Sequence, residues 1–157
     1  MPAKPVRNIT KLAQEHWDKN TSFRRNNTEI CIIKNKSSRH SYPFYPKCDF
    51  VALALFGNII AVKELNGNGK DNGIIVWSMR GYGTTTTRER LSIIGISIRQ
   101  KDYRQEYFDE LKNKWIPFNP FNVFEYNQDT KEIKKLRDAH VPKTVIDSNK
   151  TTWTPVF

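Results

Sequence analysis

The sequence predicts an α+β fold: an antiparallel sheet, made of a three-stranded meander plus additional strands, packed against two or three helices. Three observations carry this. Phe50–Phe56 (FVALALF) and Ile59–Leu65 (IIAVKEL) are strand-like runs separated only by Gly57-Asn58, and Ile74–Ser78 (IIVWS) follows a Gly/Asn-rich turn. Two stretches further on have apolar residues three and four apart, as helices do. Near the end, NVFEYNQDTKEIKKL alternates on both sides of Gln128-Asp129-Thr130-Lys131, which favours a hairpin over a helix.

Taken in order, Lys11–Lys19 places Leu12 and His16 four apart beside Ala13 and Trp17, with Thr10 positioned to cap, so a short amphipathic helix is expected. EICIIK, from Glu29, is rich in β-branched residues and reads as a strand, followed by the proline-punctuated loop NKSSRHSYPFYPK. The meander comes next, its second turn lying within Asn66–Gly73, where Gly and Asn tolerate positive φ. Thr86 and Glu89 then have capping-box spacing, which predicts a helix from near Thr87 with Leu91, Ile94 and Ile98 on its apolar stripe. A second such helix is expected over Asp102–Lys114, with Tyr103, Tyr107, Phe108, Leu111 and Trp115 on one side, stopped by Pro117 and Pro120. No repeat or Ser/Gly-rich linker divides the chain. One domain over 1–157 is expected, less regular at 1–10 and 140–157.

A chain of 157 residues buries roughly 70% of the surface of its unfolded form, so neither metal nor disulfides are needed for a core. No apolar run is long enough to span a bilayer and no signal-peptide pattern opens the chain, so a cytoplasmic protein without membrane contact is expected. Cys31 and Cys48 sit in or beside apolar runs and read as small core residues rather than a redox pair.

The net charge is +10, and residues 1–47 hold ten Lys/Arg against three acids. Such a bias attracts phosphate or an acidic partner, although a solubilising coat would look the same in composition. Within RGYGTTTTRER the residues Arg80, Gly81, Gly83, Thr84, Thr85, Thr86, Thr87, Arg88 and Arg90 combine hydroxyls, turn glycines, helix-start N–H groups and positive charge. That set suits an anion, while the same residues also suit plain helix capping. The spacing is not that of a phosphate-binding P-loop, and TTTT replaces the residues by which an RGYG-type RNA-binding strand would stack bases. Arg24 and Arg25 add charge, and Arg39, Tyr42 and Lys47 interleave aromatics with bases in RHSYPFYPK, a pattern suited to unpaired nucleotides or to closing over a core edge.

His16, His40 and His140 lack ligand-spaced partners, so no metal is expected. No nucleophile motif or paired acid marks a catalytic centre, and no cofactor is expected.

The pieces FGNIIAV, IIVWSMRGYGTTTTRERL and Ile93-Ile94 resemble a group of small uncharacterised bacteriophage proteins with a glycine-turn hairpin, a third strand and a TT-x-x-[RH]-L helix start. The likeness covers about a quarter of the chain. It implies a viral accessory protein in a bacterial host cytoplasm and carries over no activity and no site residues. The expected function is nucleic-acid binding, mainly through phosphate contacts; alternatives are modulation of an acidic host or viral protein, and binding of a phosphorylated small molecule near Thr86.

Overall fold

The computed structural model describes residues 6–33, 49–65 and 70–137. Helix α1 (Val6–Lys19) leads into β1 (Phe23–Arg25) and β2 (Thr28–Ile33), then β3 (Asp49–Leu55), β4 (Asn58–Leu65) and β5 (Asp71–Trp77). Helix α2 (Thr85–Leu91) and a 3-10 turn (Ser92–Ile94) separate these from β6 (Ile98–Lys101), β7 (Arg104–Asp109) and β8 (Lys114–Phe118), and β9 (Val123–Asn127) and β10 (Ile133–Arg137) complete the order. Among the described residues the strands form two antiparallel sheets: seven strands in the order β1-β2-β3-β4-β5-β9-β10, and β6-β7-β8. The α+β class, with helices packed on antiparallel sheet, is the one the sequence predicts.

Register explains the core. Directly paired residues share a face of the sheet, and the rows Ile30–Leu53–Ala61–Trp77–Phe124 and Ile32–Val51–Lys63–Ile75–Tyr126–Ile133 run across the large sheet. This face packs against Ala13 and Trp17 of α1, Leu91 of α2, Ile93, Ile94 and Ile96 after it, and Tyr107 of β7. Its one charged member, Lys63, is 3% exposed. The Lys63 ammonium donates to the Trp17 carbonyl at 2.8 Å, lies 4.4 Å from the Trp17 ring centroid and is 3.5 Å from Asp71. It therefore caps the C-terminal end of α1 from inside the core, where burial lowers its pKa and Asp71 opposes the shift. A left-handed Asn20 (φ 58°) finishes the helix, with Thr21 N–H donating to the His16 carbonyl and Asn20 N–H to that of Trp17.

The small sheet lies on the same core. Ile98, Tyr107, Ile116 and Phe118 share its inner face, and the Trp77 ring stacks on Phe124 (4.7 Å) while meeting Phe118 (5.7 Å) and Tyr107 (6.3 Å) edge-on. This four-ring cluster joins the two sheets.

Several expectations change. The first hairpin turns on Phe56-Gly57 (φ 53° and 82°), one residue earlier than Gly57-Asn58, because positive φ is needed at both central positions. The helix expected over Asp102–Lys114 is instead the hairpin strands β6–β8. Asp102 and Tyr103 both take positive φ, and Gln105, Tyr107 and Asp109 alternate onto the inner face while Glu106 is buried on the outer one by its two arginines, so the apparent helical stripe was a coincidence of aromatic spacing. Helix α2 begins at Thr85 and is capped by Thr84, not Thr86; it ends at Leu91, and the 3-10 turn that follows closes on a left-handed Gly95. The first helix begins at Val6, which places Thr10 inside it rather than at its cap. The late hairpin stands as expected, as β9 and β10.

Candidate functional site

The segment from Arg80 to Arg90 connects the large sheet to the small one, and its polar atoms are directed at the protein. Thr84 Oγ1 accepts from the Thr87 backbone N–H at 3.1 Å and lies 3.0 Å from the Thr87 hydroxyl, so two of the four threonines close the helix start between them. Thr87 is buried, Thr86 half-buried, and Thr85 accepts from Arg88 at 3.1 Å. Arg88 also donates to the Gly83 carbonyl (3.3 Å), Gln105 (3.0 Å) and Gln100 (3.4 Å).

Arg90 is buried. Its guanidinium donates to Thr28 (2.7 Å), Thr10 (3.0 Å) and Asn27 (3.5 Å) and lies 3.4 Å from the Glu89 carboxylate, which itself accepts from Thr10. The expected capping contact of Glu89 with Thr86 is replaced by this link between α1, the β1–β2 turn and α2. Arg80, half-buried, donates to the Ile59 carbonyl at 3.2 Å, and burial holds its pKa below the ordinary value. Gly81 is required by φ 83° and by the Phe121 ring, whose nearest carbon would lie 2.3 Å from an added Cβ. Gly83 packs on the Gln105 side chain.

Of the remaining residues expected at the site, Arg24 and Arg25 are exposed on β1 at one edge of the large sheet, and Arg39, Tyr42 and Lys47 lie outside the described residues. Thus RGYGTTTTRER is drawn together, but largely as a polar joint between elements.

Through Gln105 this joint borders a feature that sequence reasoning missed. An open groove of about 410 Å³ at the end of the small sheet is lined by Tyr103, Arg104, Gln105, Pro117, Phe118 and Pro120. None of these six lining residues is acidic. Tyr103, at the tip of the β6–β7 hairpin, lines it and is 96% exposed; two further exposed rings belong to neighbouring loop residues, Phe121 following the lining Pro120 and Tyr82 following the Gly81 on which Phe121 packs, each 51% exposed. The Gly81 N–H donates to the Pro120 carbonyl at 2.9 Å, which fixes the two loops together. Exposed aromatics gathered beside a concavity mark an interaction surface more often than chance exposure does.

No family model, curated protein or solved structure matches this chain.

The outer face of the small sheet continues the surface. Glu106 is buried there between Arg99 (2.8 Å) and Arg104 (3.6 Å), Arg99 lies 4.3 Å over the Trp115 ring, and Trp115 meets Phe108 edge-on at 5.2 Å. The carboxylate neutralises part of the charge and fixes both guanidinium groups in place. RQEYFD, from Arg104 to Asp109, does not alternate apolar with polar residues and the hairpin turn has no glycine, so local sequence carries no signal for this surface.

Other chemistry is sparse. Among the described residues no group of three or more His, Cys, Asp or Glu is placed to hold a metal ion. His16 stacks on Phe23 (5.0 Å) with Nδ1 2.8 Å from the Thr21 hydroxyl. Cys31 is half-buried on the opposite face of the large sheet, its thiol pushed up to about 11 by burial and by the neighbouring Glu29, against a smaller pull from Arg24. Cys48 lies outside the described residues. No helix among the described residues is long and apolar enough to cross a membrane.

Proposed function

We propose that this chain is a small basic accessory protein of bacteriophage type that binds nucleic acid mainly through phosphate contacts, and that the binding surface is the exposed end of the β6–β8 sheet. The observation that carries the reading is the aromatic-rimmed groove with no acidic lining residue, where Tyr103 and Arg104 stand on a chain of net charge +10. Lys101, paired across the hairpin with Arg104, adds a second exposed cation at the same tip. These two side chains suit phosphate contact better than Arg88 and Arg90: both are exposed, Arg104 keeping an ion pair with Glu106, whereas Arg88 is half-buried and Arg90 buried among protein acceptors.

Fluorescence anisotropy with labelled oligonucleotides, titrated from 50 to 500 mM salt, tests the reading. With about four phosphate contacts, log affinity falls against log salt with a slope near −3.6 on duplex and about −2.8 on single strands. Affinity that does not change over that range overturns it.

The outer face of the small sheet favours a second reading, as modulator of an acidic host or viral protein. Trp115, Phe108 and Arg99 are residue types that anchor protein interfaces. A pull-down from nuclease-treated bacterial lysate separates the two: a stoichiometric protein partner that survives nuclease supports modulation, and loss of every partner supports nucleic acid.

A further inference from the structure

We infer that the ligand of this surface is single-stranded nucleic acid, with an unpaired base stacked on Tyr103 at the mouth of the groove. The inference rests on the nucleic-acid reading above and narrows it.

The conformation of Tyr103 is the starting point. Asp102 and Tyr103 are the two central residues of a tight hairpin turn, with φ of 54° and 65°. Gly, Asn and Asp suit such positions, and a β-carbon with an aromatic ring is disfavoured at the second of them. The fold obtains nothing in exchange, because the ring is 96% exposed. A strained residue whose side chain contributes no packing points to use outside the fold.

The surroundings of the ring define that use. Lys101 and Arg104 are paired across the base of the turn and both are exposed, so two cations flank the residue pair that carries the ring. Arg104 is steadied by Glu106, which is itself held by Arg99. A sugar-phosphate backbone following these cations brings its bases to Tyr103 and to the proline-lined groove behind it, whose volume of about 410 Å³ lies in the range of small-ligand pockets. Stacking on an aromatic ring tolerates any base, and Arg pairs with phosphate whatever the sequence. In a duplex the base faces are covered by their neighbours, so the ring has nothing to stack on; only an unpaired strand satisfies ring and cations together. Charge favours the same occupant: the groove lining holds Arg104 and no acid, and at the tip Lys101 and Arg104 outnumber the exposed Asp102, while Glu106 is buried behind them.

The test compares the full chain with its Tyr103→Asn and Tyr103→Phe variants. Probes are labelled oligothymidine, oligouridine and a mixed-sequence duplex of equal length, each at 50 and 300 mM salt, with polyglutamate as a non-nucleic polyanion. Asn suits the turn, so Tyr103→Asn retains the hairpin while removing the ring. Expected at 300 mM salt are single-strand binding roughly ten-fold tighter than duplex binding, a loss of about ten-fold for Tyr103→Asn on single strands alone, and near-native affinity for Tyr103→Phe. Either sugar supports the inference, and the tighter of the two identifies the natural strand.

If single strand and duplex bind equally, or Tyr103→Asn weakens both alike or neither, the inference falls while nucleic-acid binding stands. If no oligonucleotide binds at 50 mM salt, the underlying reading falls as well. Binding of polyglutamate in that case assigns the surface to an acidic protein.

Discussion

The two sheets are built from the same antiparallel pairing and differ in what their faces do. The seven-stranded sheet buries two unbroken rows on one face and a smaller apolar cluster of Ala52, Val62 and Val123 on the other. The three-stranded sheet packs one face on the core. Its outer face carries Arg99, Phe108 and Trp115, all half-buried, around a buried Glu106, and its hairpin tip carries the most exposed aromatic ring among the described residues. The large sheet is mostly a frame accounted for by burial, the exposed Phe56 of its first hairpin turn apart, whereas in the small sheet Tyr103 and Arg104 stand exposed at a groove, and recognition is assigned to that end.

The most severe way to break this division is at the join. Trp77→Ala removes the ring shared by both sheets and is expected to cost about 3–5 kcal/mol in urea denaturation. Trp77→Phe is expected to cost clearly less, since it keeps a ring and removes an indole N–H that has no hydrogen-bond partner among the described residues. An equal cost for both would show that the ring cluster does not couple the sheets.

Next in size is the loop leaving the large sheet. Gly81→Ala forces a β-carbon into the Phe121 ring at φ 83°, and a loss of about 2–3 kcal/mol is expected. In a Phe121→Ala background the clash disappears and only the backbone term, about 1 kcal/mol, remains. A double-mutant cycle on denaturation midpoints measures the difference, and additive costs would place the strain elsewhere.

A pH series probes the far face of the large sheet. The folded Cys31 thiol titrates at about 11 against an ordinary 9.0, so the unfolded chain ionises first. The contribution of Cys31 is fully present below pH 9 and is lost as pH rises towards 11. Tyr107, its pKa raised by burial, acts in the same direction, and Lys63, lowered by burial, acts in the opposite one. The comparison is therefore made between Cys48→Ser and Cys48→Ser with Cys31→Ala. The first is expected to lose more stability between pH 9 and 11, and parallel curves would refute the shift.

The smallest effect is expected at the hairpin tip. Tyr103→Asn relieves a disfavoured backbone conformation and raises stability by up to about 1 kcal/mol. A fall in stability would mean that the ring serves the fold after all.

The large sheet was mostly legible in sequence because its strands are long apolar runs bounded by Gly and Asn, and β9–β10 because its alternation is clean. The small sheet was not. Tyr103, Tyr107, Leu111 and Trp115 recur every four residues, and a turn built on Asp102-Tyr103 gives no punctuation, so a helical period was indistinguishable from a hairpin until pairing was known. The threonine tract was correctly seen as a helix start, but its cap lies two residues earlier. The partners of Arg88 and Arg90 come from as far away as Gln105 and Thr10, separations that no local pattern encodes. The groove was invisible for the same reason, since β7 and β8 line it only once they are paired.

The rings around Trp77 have a practical consequence. An indole stacked on Phe124 of the large sheet and touching Tyr107 and Phe118 of the small one changes its surroundings whenever the sheets part, and Phe118 also lines the groove. With Trp17, Trp115 and Trp153 replaced by Phe, the molecule carries its own optical gauge, through which occupancy at one end and loosening at the seam are followed as changes in Trp77 emission without any added dye.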